Sequence, residues 1–215
     1  SGMGTMKSDP GMPFLKPATG RKEYRTPKSP SGTVVAVFGA AFLLEGGPAA
    51  RTAFELGGEI ARRGWTLACG GYAGTMAAAS RGAAEVGGHV VGVTCDTLSS
   101  AGRRTNPWVK EEIRRPTVRD RLLTLCRMAD AAVALDGGIG TLSEIAFFAS
   151  QIQTGELTPR PLLLLGEVWK SILREFFHSA DDYLTDEDRA IFQFASSPAE
   201  AVKIIENHER RMKAS

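Results

Sequence analysis

The sequence predicts an α/β protein with a single doubly wound, mostly parallel sheet (Rossmann-like) and helices on both faces. Three observations carry this expectation. Short, nearly continuous apolar runs recur along the chain, as strands covered on both faces require. Stretches of helical pattern lie between them, so strand and helix alternate. Three of the strand ends open into small or glycine-rich turns, the places where such sheets take ligands.

The runs expected as strands are Thr33–Phe38, Trp65–Cys69, His89–Thr94, Asp130–Leu135 and Pro161–Leu165. Helices are expected over about 48–62, 75–86, 117–128, 140–153 and 167–178. A short run at Ile191–Phe194 and a helix from Pro198 to about Arg211 close the chain. Ser197-Pro198 supplies an N-cap followed by proline at the first helical position, where its missing N–H costs nothing. Thr185, followed by Asp186, Glu187 and Asp188, reads as another capped start with acids at the positive end of the helix dipole. Residues 98–116, with Arg103, Arg104, Asn106, Trp108 and Lys110, read as a long connection of the kind that forms lids or interface arms. Arg103 or Arg104 is a candidate to reach a phosphate from it.

The chain of 215 residues suits one domain, residues 33–215, behind a basic Pro/Gly-rich tail over 1–32 that is expected to be mobile. The tail holds Lys7, Lys16, Arg21, Lys22, Arg25 and Lys28 against Asp9 and Glu23, a net +4. With +2 for the whole chain, the domain is left at −2, an unpromising field for nucleic acid, which is bound by displacing counterions. No uncharged apolar stretch approaches the ~18 residues of a membrane helix, and the N-terminus has no apolar leader, so a cytoplasmic protein is expected. Cys69, Cys95 and Cys126 show no metal-ligand spacing and read as small buried hydrophobes; no metal and no cofactor is expected.

The candidate ligand turns are Gly39-Ala40 with Ala41 after the first strand and Gly70-Gly71-Tyr72-Ala73-Gly74-Thr75-Met76 after the second. The third runs from Asp136 through Gly137-Gly138-Ile139-Gly140-Thr141-Leu142-Ser143-Glu144, after the fourth. Small residues let backbone amides approach an anion, and a helix that starts there adds its free N–H groups and partial positive charge. Each turn taken singly also suits a tight strand-to-helix connection. Other nucleotide and cofactor motifs are missing. The first turn has no GxGxxG, no Walker loop occurs, GxSxG is absent, and no lysine stands at a strand end to hold pyridoxal phosphate.

The run from Gly137 to Glu144 resembles the GGxGTxxE motif of the LOG (Lonely Guy) family, whose members are often labelled lysine decarboxylases. Arg121, nine residues before Asp130, stands where that family carries an arginine ahead of the next strand. The first two turns and the stretch from Asp186 to Glu200 are similar as well, so the likeness covers about residues 33–207. The resemblance implies a Rossmann-like homodimer that hydrolyses the N-glycosidic bond of a nucleoside 5′-monophosphate, a cytokinin nucleotide in the plant members. Related chains with a GGIGTLSE run include the molybdenum-cofactor carrier proteins, which bind a phosphorylated pterin, and a non-catalytic carrier is the alternative expectation.

Glycosidic cleavage builds positive charge at C1′ and the ring oxygen, which a fixed carboxylate stabilises while it orients or deprotonates water. Glu144 and Arg121 are therefore the catalytic candidates. Read from the residues alone, Glu144 also suits an acid complementing the helix dipole. Arg121 also suits a solvated helix face among Arg114, Arg115, Arg119 and Arg127. Two positions depart from the family pattern. Asp136 replaces its proline, so the carboxylate faces away, binds a cation or marks another ligand. Val118-Arg119-Asp120-Arg121-Leu122 replaces Met-His-x-Arg-Lys. The apolar groups of the 140–152 helix, Ile145, Phe147, Phe148 and Ile152, exceed what one face needs, and part of that helix is expected against a second subunit.

Overall fold

The computed structural model describes residues 32–43 and 46–214. The expected tail over 1–32 therefore lies outside the described residues, save for Gly32. The strands are β1 (Val34–Phe38), β2 (Thr66–Cys69), β3 (Val90–Cys95), β4 (Glu111–Arg115), β5 (Ala131–Leu135), β6 (Leu162–Leu165) and β7 (Phe192–Ala195). The helices are α1 (Pro48–Arg62), α2 (Thr75–Glu85), α3 (Asp96–Ser100), α4 (Val118–Met128), α5 (Ile139–Gln153), α6 (Glu167–Ser179), α7 (Asp186–Ala190) and α8 (Pro198–Ala214). One parallel sheet of seven strands runs in the order β4-β3-β2-β1-β5-β6-β7.

That order places the reversal of winding between β1 and β5, which pair from Val35↔Ala131 to Phe38↔Ala134. A crevice opens at the carboxyl ends of two such strands because their connections leave toward opposite faces. The strands at the centre are buried throughout, and each face is covered by its own apolar layer. One layer joins Phe38, Val93, Leu125, Phe148, Leu164 and Trp169 beneath α4, α5 and α6. The other joins Leu56, Ile60, Leu67, Ala79, Val202 and Ile205 beneath α1, α2 and α8.

The two helix starts expected to be capped are capped. Thr185 and Asp188 form a reciprocal capping box at α7. Ser197 Oγ accepts the N–H of Glu200 at α8. Ile145, Phe148 and Ile152 are buried inside the chain's own core, and Phe147 packs against the same cluster. This takes up most of the apolar excess that pointed to a second subunit; Ile139 and Leu142 remain exposed.

Two elements differ from the expectation of an unbroken connection over 98–116: α3 and the edge strand β4 lie within or beside it. β4 is Glu-Glu-Ile-Arg-Arg, exposed at Glu111, Glu112 and Arg114. It presents no apolar run because only one of its edges and little of its faces are covered. The strand is held to β3 by its backbone and to its neighbours by charge, as in Arg114 Nε to Asp96 Oδ1 at 2.5 Å. Charged side chains on an edge strand also oppose pairing with a further chain.

Candidate functional site

The carboxyl end of β1, the turn after β5 and the starts of α2, α4 and α5 line a cleft of about 420 Å³. Its wall includes Gly39, Ala40, Phe42, Tyr72, Met76, Leu98, Arg103, Val118, Arg121, Leu122, Gly138, Gly140, Thr141, Ser143 and Glu144. Of the residues expected at the site, Gly39, Ala40, Met76, Arg121, Gly138, Gly140, Thr141 and Glu144 therefore meet around one space. Gly70, Gly71, Gly74, Thr75 and Gly137 are not on the wall, and Ile139 turns outward with 83% of its surface exposed.

The residues behind the wall fix its shape. A Cβ on Gly39 would overlap the Thr75 side chain, and one on Gly74, whose φ is +68°, would strike the carbonyl of Ala40. The Thr75 N–H donates to that carbonyl at 2.8 Å, and the Ala40 N–H donates to Asp136 O at 3.2 Å. These two amides thus tie the three turns together and are spent on the fold.

At the start of α5 the situation is the opposite. Gly138 is the N-cap, and among the described residues no side-chain cap bond is made there. The Leu142 N–H is satisfied by Gly138 O at 3.0 Å, which leaves the N–H groups of Ile139, Gly140 and Thr141 without an intrahelical acceptor. Next to this end of the helix dipole, Gly138 and Gly140 face open space.

Arg121 and Glu144 pair at the bottom of the cleft. Arg121 Nη1 lies 3.4 Å from Glu144 Oε1, and the side chains are only 8% and 12% exposed. Arg121 is oriented by its Nε–H, which donates to the Val93 carbonyl at 2.9 Å, and by the Tyr72 ring, 5.9 Å from the guanidinium. The Tyr72 hydroxyl in turn donates to Cys95 O at 3.2 Å and accepts the Cys95 N–H at 2.9 Å. Gly70 is glycine because a Cβ there would overlap Arg121 Nη2. Burial pushes the Glu144 carboxyl up to about 7, against the downward pull of Arg121. The acid is thus poised to exchange a proton near neutral pH.

Asp136 points away from the cleft. Its Oδ1 accepts the N–H of Val168 at the start of α6 at 3.2 Å, and Gly166 leaves room for the carboxylate, since a Cβ there would overlap it. Partial burial raises its pKa. The departure from the family proline is accommodated by capping a neighbouring helix, which keeps the charge off the cleft wall. The three cysteines are buried and free; burial raises Cys69 and pushes Cys126 up to about 12, so neither is an available thiolate. Among the described residues no group of three or more His, Cys, Asp or Glu is placed to hold a metal, and no helix is long and apolar enough to cross a membrane.

Phe42, Leu98, Val118, Leu122 and Ser143 also line the wall, and Tyr72 is the shelf for Arg121, roles that no sequence motif marks. Tyr72, a large aromatic inside a glycine run, was the one signal available.

Residues 32–182 match the model of the SLOG cluster4 family. A probable cytokinin riboside 5′-monophosphate phosphoribohydrolase of Oryza sativa subsp. japonica is 30% identical over 163 residues, 74% of this chain; the chain spans 64% of that relative's length. A cytokinin riboside 5′-monophosphate phosphoribohydrolase of Arabidopsis thaliana is 31% identical over 163 residues, covering 74% of this chain and 76% of the relative. Among solved structures, the molybdenum cofactor binding protein from the phototrophic bacterium Rippkaea orientalis superposes with a TM-score of 0.65 at 25% identity, over 83% of this chain and 98% of that one.

Proposed function

The chain belongs to the SLOG cluster4 family, and from that premise we propose that it hydrolyses the N-glycosidic bond of a nucleoside 5′-monophosphate to the free base and ribose 5-phosphate. The observation that carries the reading is the buried Arg121–Glu144 pair opening onto a cleft beside the uncapped start of α5. The free amides of Ile139, Gly140 and Thr141 take the phosphate, a role helix N-termini fill readily. Glu144, about one turn further along α5, then faces the sugar. Its carboxylate stabilises the positive charge that grows at C1′ and accepts a proton from the attacking water. The water oxygen bonds to C1′ as the C1′–N bond breaks, and the bond pair leaves with the base, which is protonated from solvent. Arg121 keeps part of the Glu144 population ionised near neutral pH and holds its orientation.

Incubation with AMP, other nucleoside monophosphates and cytokinin nucleotides is expected to release free base. Glu144→Gln is expected to slow release by on the order of 10³-fold while binding persists. A second reading, a carrier of a phosphorylated cofactor in the same cleft, is favoured by the near full-length match to the Rippkaea orientalis protein. Tight binding of a phosphorylated pterin, with no base released from any nucleotide, would establish the carrier and remove the hydrolase.

A further inference from the structure

Among the described residues, the charged side chains on the cleft wall are Arg103, Arg121 and Glu144. Arg121 is committed to Glu144 and to the Val93 carbonyl, so these two charges largely cancel. Asp136 is turned to α6. A phosphate monoester at the start of α5 brings nearly two negative charges to amides that offer roughly half a positive one. One further cation is needed, and among the described residues the wall offers Arg103 alone.

The placement of Arg103 suits that task. It lies on the connection between α3 and β4, and its own N–H is held by Leu98 O at 3.1 Å. Farther along, the same connection is tied to the β2 turn, where the Asn106 N–H donates to Gly71 O at 2.8 Å and Asn106 Nδ2 donates to Tyr72 O at 3.0 Å. The backbone is thus anchored, and the side chain lies on the cleft wall together with Phe42 of the connection after β1. There its guanidinium rests 5.6 Å from the centroid of the Phe42 ring. Among the described residues Arg103 forms no salt bridge, and Phe42 keeps 82% of its surface exposed. A guanidinium on an exposed ring is held by a contact weak enough to exchange for a charge-assisted bond to phosphate, which its planar fork fits.

We propose that Arg103 is the phosphate-binding cation of this cleft, kept over the site by Phe42 until a phosphate monoester draws it in. Arg103 is a binding residue and Phe42 a positioning one. The proposal rests on the reading that phosphate occupies the start of α5, and it is independent of whether the sugar bond is then cut.

The test is calorimetric titration of the full chain with inorganic phosphate, ribose 5-phosphate, AMP and adenosine. Arg103→Gln is expected to weaken the three phosphate-bearing ligands by about 10–100-fold and leave adenosine unchanged. Arg103→Lys restores part of the loss, as a point charge without the fork. Phe42→Leu causes a smaller loss confined to the same three ligands. In base-release assays Arg103→Gln raises KM for AMP far more than it lowers kcat. Wild-type phosphate affinity in Arg103→Gln, an equal loss for adenosine and AMP, or a wild-type protein that binds neither phosphate nor ribose 5-phosphate would overturn it. If AMP binds in an Arg103-dependent way and no base is released, this proposal stands and the hydrolase reading falls.

Discussion

The turns after β2 and β5 are both rich in glycine, yet they use it in opposite ways. After β2, glycine makes room for protein. Gly70 admits the Arg121 guanidinium, Gly71 at φ +74° lies against Gly92, and Gly74 lies against the Ala40 carbonyl. After β5, Gly137 still makes room for Thr141, but Gly138 and Gly140 have nothing near the place of a side chain. The first turn is therefore a packing device that aims an arginine, and the second leaves bare backbone beside unpaired amides. Composition alone does not separate the two; what a Cβ would meet does.

The sharpest way to break this contrast is Gly70→Ala. The added methyl would overlap the Arg121 guanidinium and the Met76 sulfur, so the guanidinium must shift from its place between the Tyr72 ring and the Val93 carbonyl and away from its present pairing with Glu144. The expected result is a drop in base release of on the order of 10²-fold or more, the scale seen when a catalytic group is misplaced by about an ångström. Binding of ribose 5-phosphate should change little. If Gly70→Ala lowers phosphate affinity and spares turnover, the two turns have been assigned the wrong way round.

The next effect in size is on pH. In the folded protein Glu144 titrates at about 7, above the ordinary 4.5 of a free glutamate. A carboxyl that holds its proton more tightly when folded stabilises the fold fully below pH ~4.5, and that contribution is lost as pH rises to about 7. Over this window the protein should lose about 3 kcal/mol of unfolding free energy that Glu144→Gln does not lose, read by denaturant titration at several pH values. Base release should instead rise across the same window, because the ionised form does the work. Arg121→Gln removes the interaction that lowers the Glu144 pKa, so the acidic limb of the rate profile should move to higher pH.

These residues also mark how far the sequence could be read. The five central strands, the helices between them and the site at the strand ends were legible because apolar runs and glycine turns are local signals. β4 was not. An edge strand of alternating solvent contacts, Glu111-Glu112-Ile113-Arg114-Arg115, carries charge where a buried strand carries valine, and its pairing with β3 is written in no run of its own. The Arg121–Glu144 pair spans 23 positions and came from family resemblance. One local hint existed: Arg121 shares the buried face of α4 with Leu122, Leu125 and Cys126, while Arg119 is exposed. Phe42 and Tyr72 lie in turns, where no periodicity tells which way a side chain points.

A matched pair within the β5 turn sharpens the contrast further. Gly137→Ala would press a methyl into Thr141 and within 3.0 Å of the Ala40 amide, costing about 1–3 kcal/mol of stability. Gly138→Ala meets nothing within 4 Å and has an extended backbone open to alanine, so its stability should fall less than that of Gly137→Ala, by the few tenths to about 1 kcal/mol that alanine costs as an N-cap. Its methyl stands beside the free amides, however, and phosphate affinity should fall by about tenfold, the scale of one lost charge-assisted bond. Thermal melts and phosphate titrations of both variants separate the two roles within adjacent residues.

The smallest effect expected is at Asp136, and it bears on why a carboxylate is tolerated next to a phosphate cradle. Its backbone belongs to the β5 turn, since its carbonyl accepts the Ala40 N–H, but its side chain belongs to α6, where Oδ1 accepts the Val168 N–H. An acid at the positive end of a helix is stabilising, and losing such a cap costs about 1 kcal/mol. Asp136→Ala should therefore lower stability by that amount while leaving phosphate affinity and base release at parental values. A carboxylate that faced the ligand would behave otherwise: its removal would relieve repulsion, and phosphate would bind more tightly in the variant. The two outcomes differ in sign, so one titration with ribose 5-phosphate decides which side of the turn the charge serves.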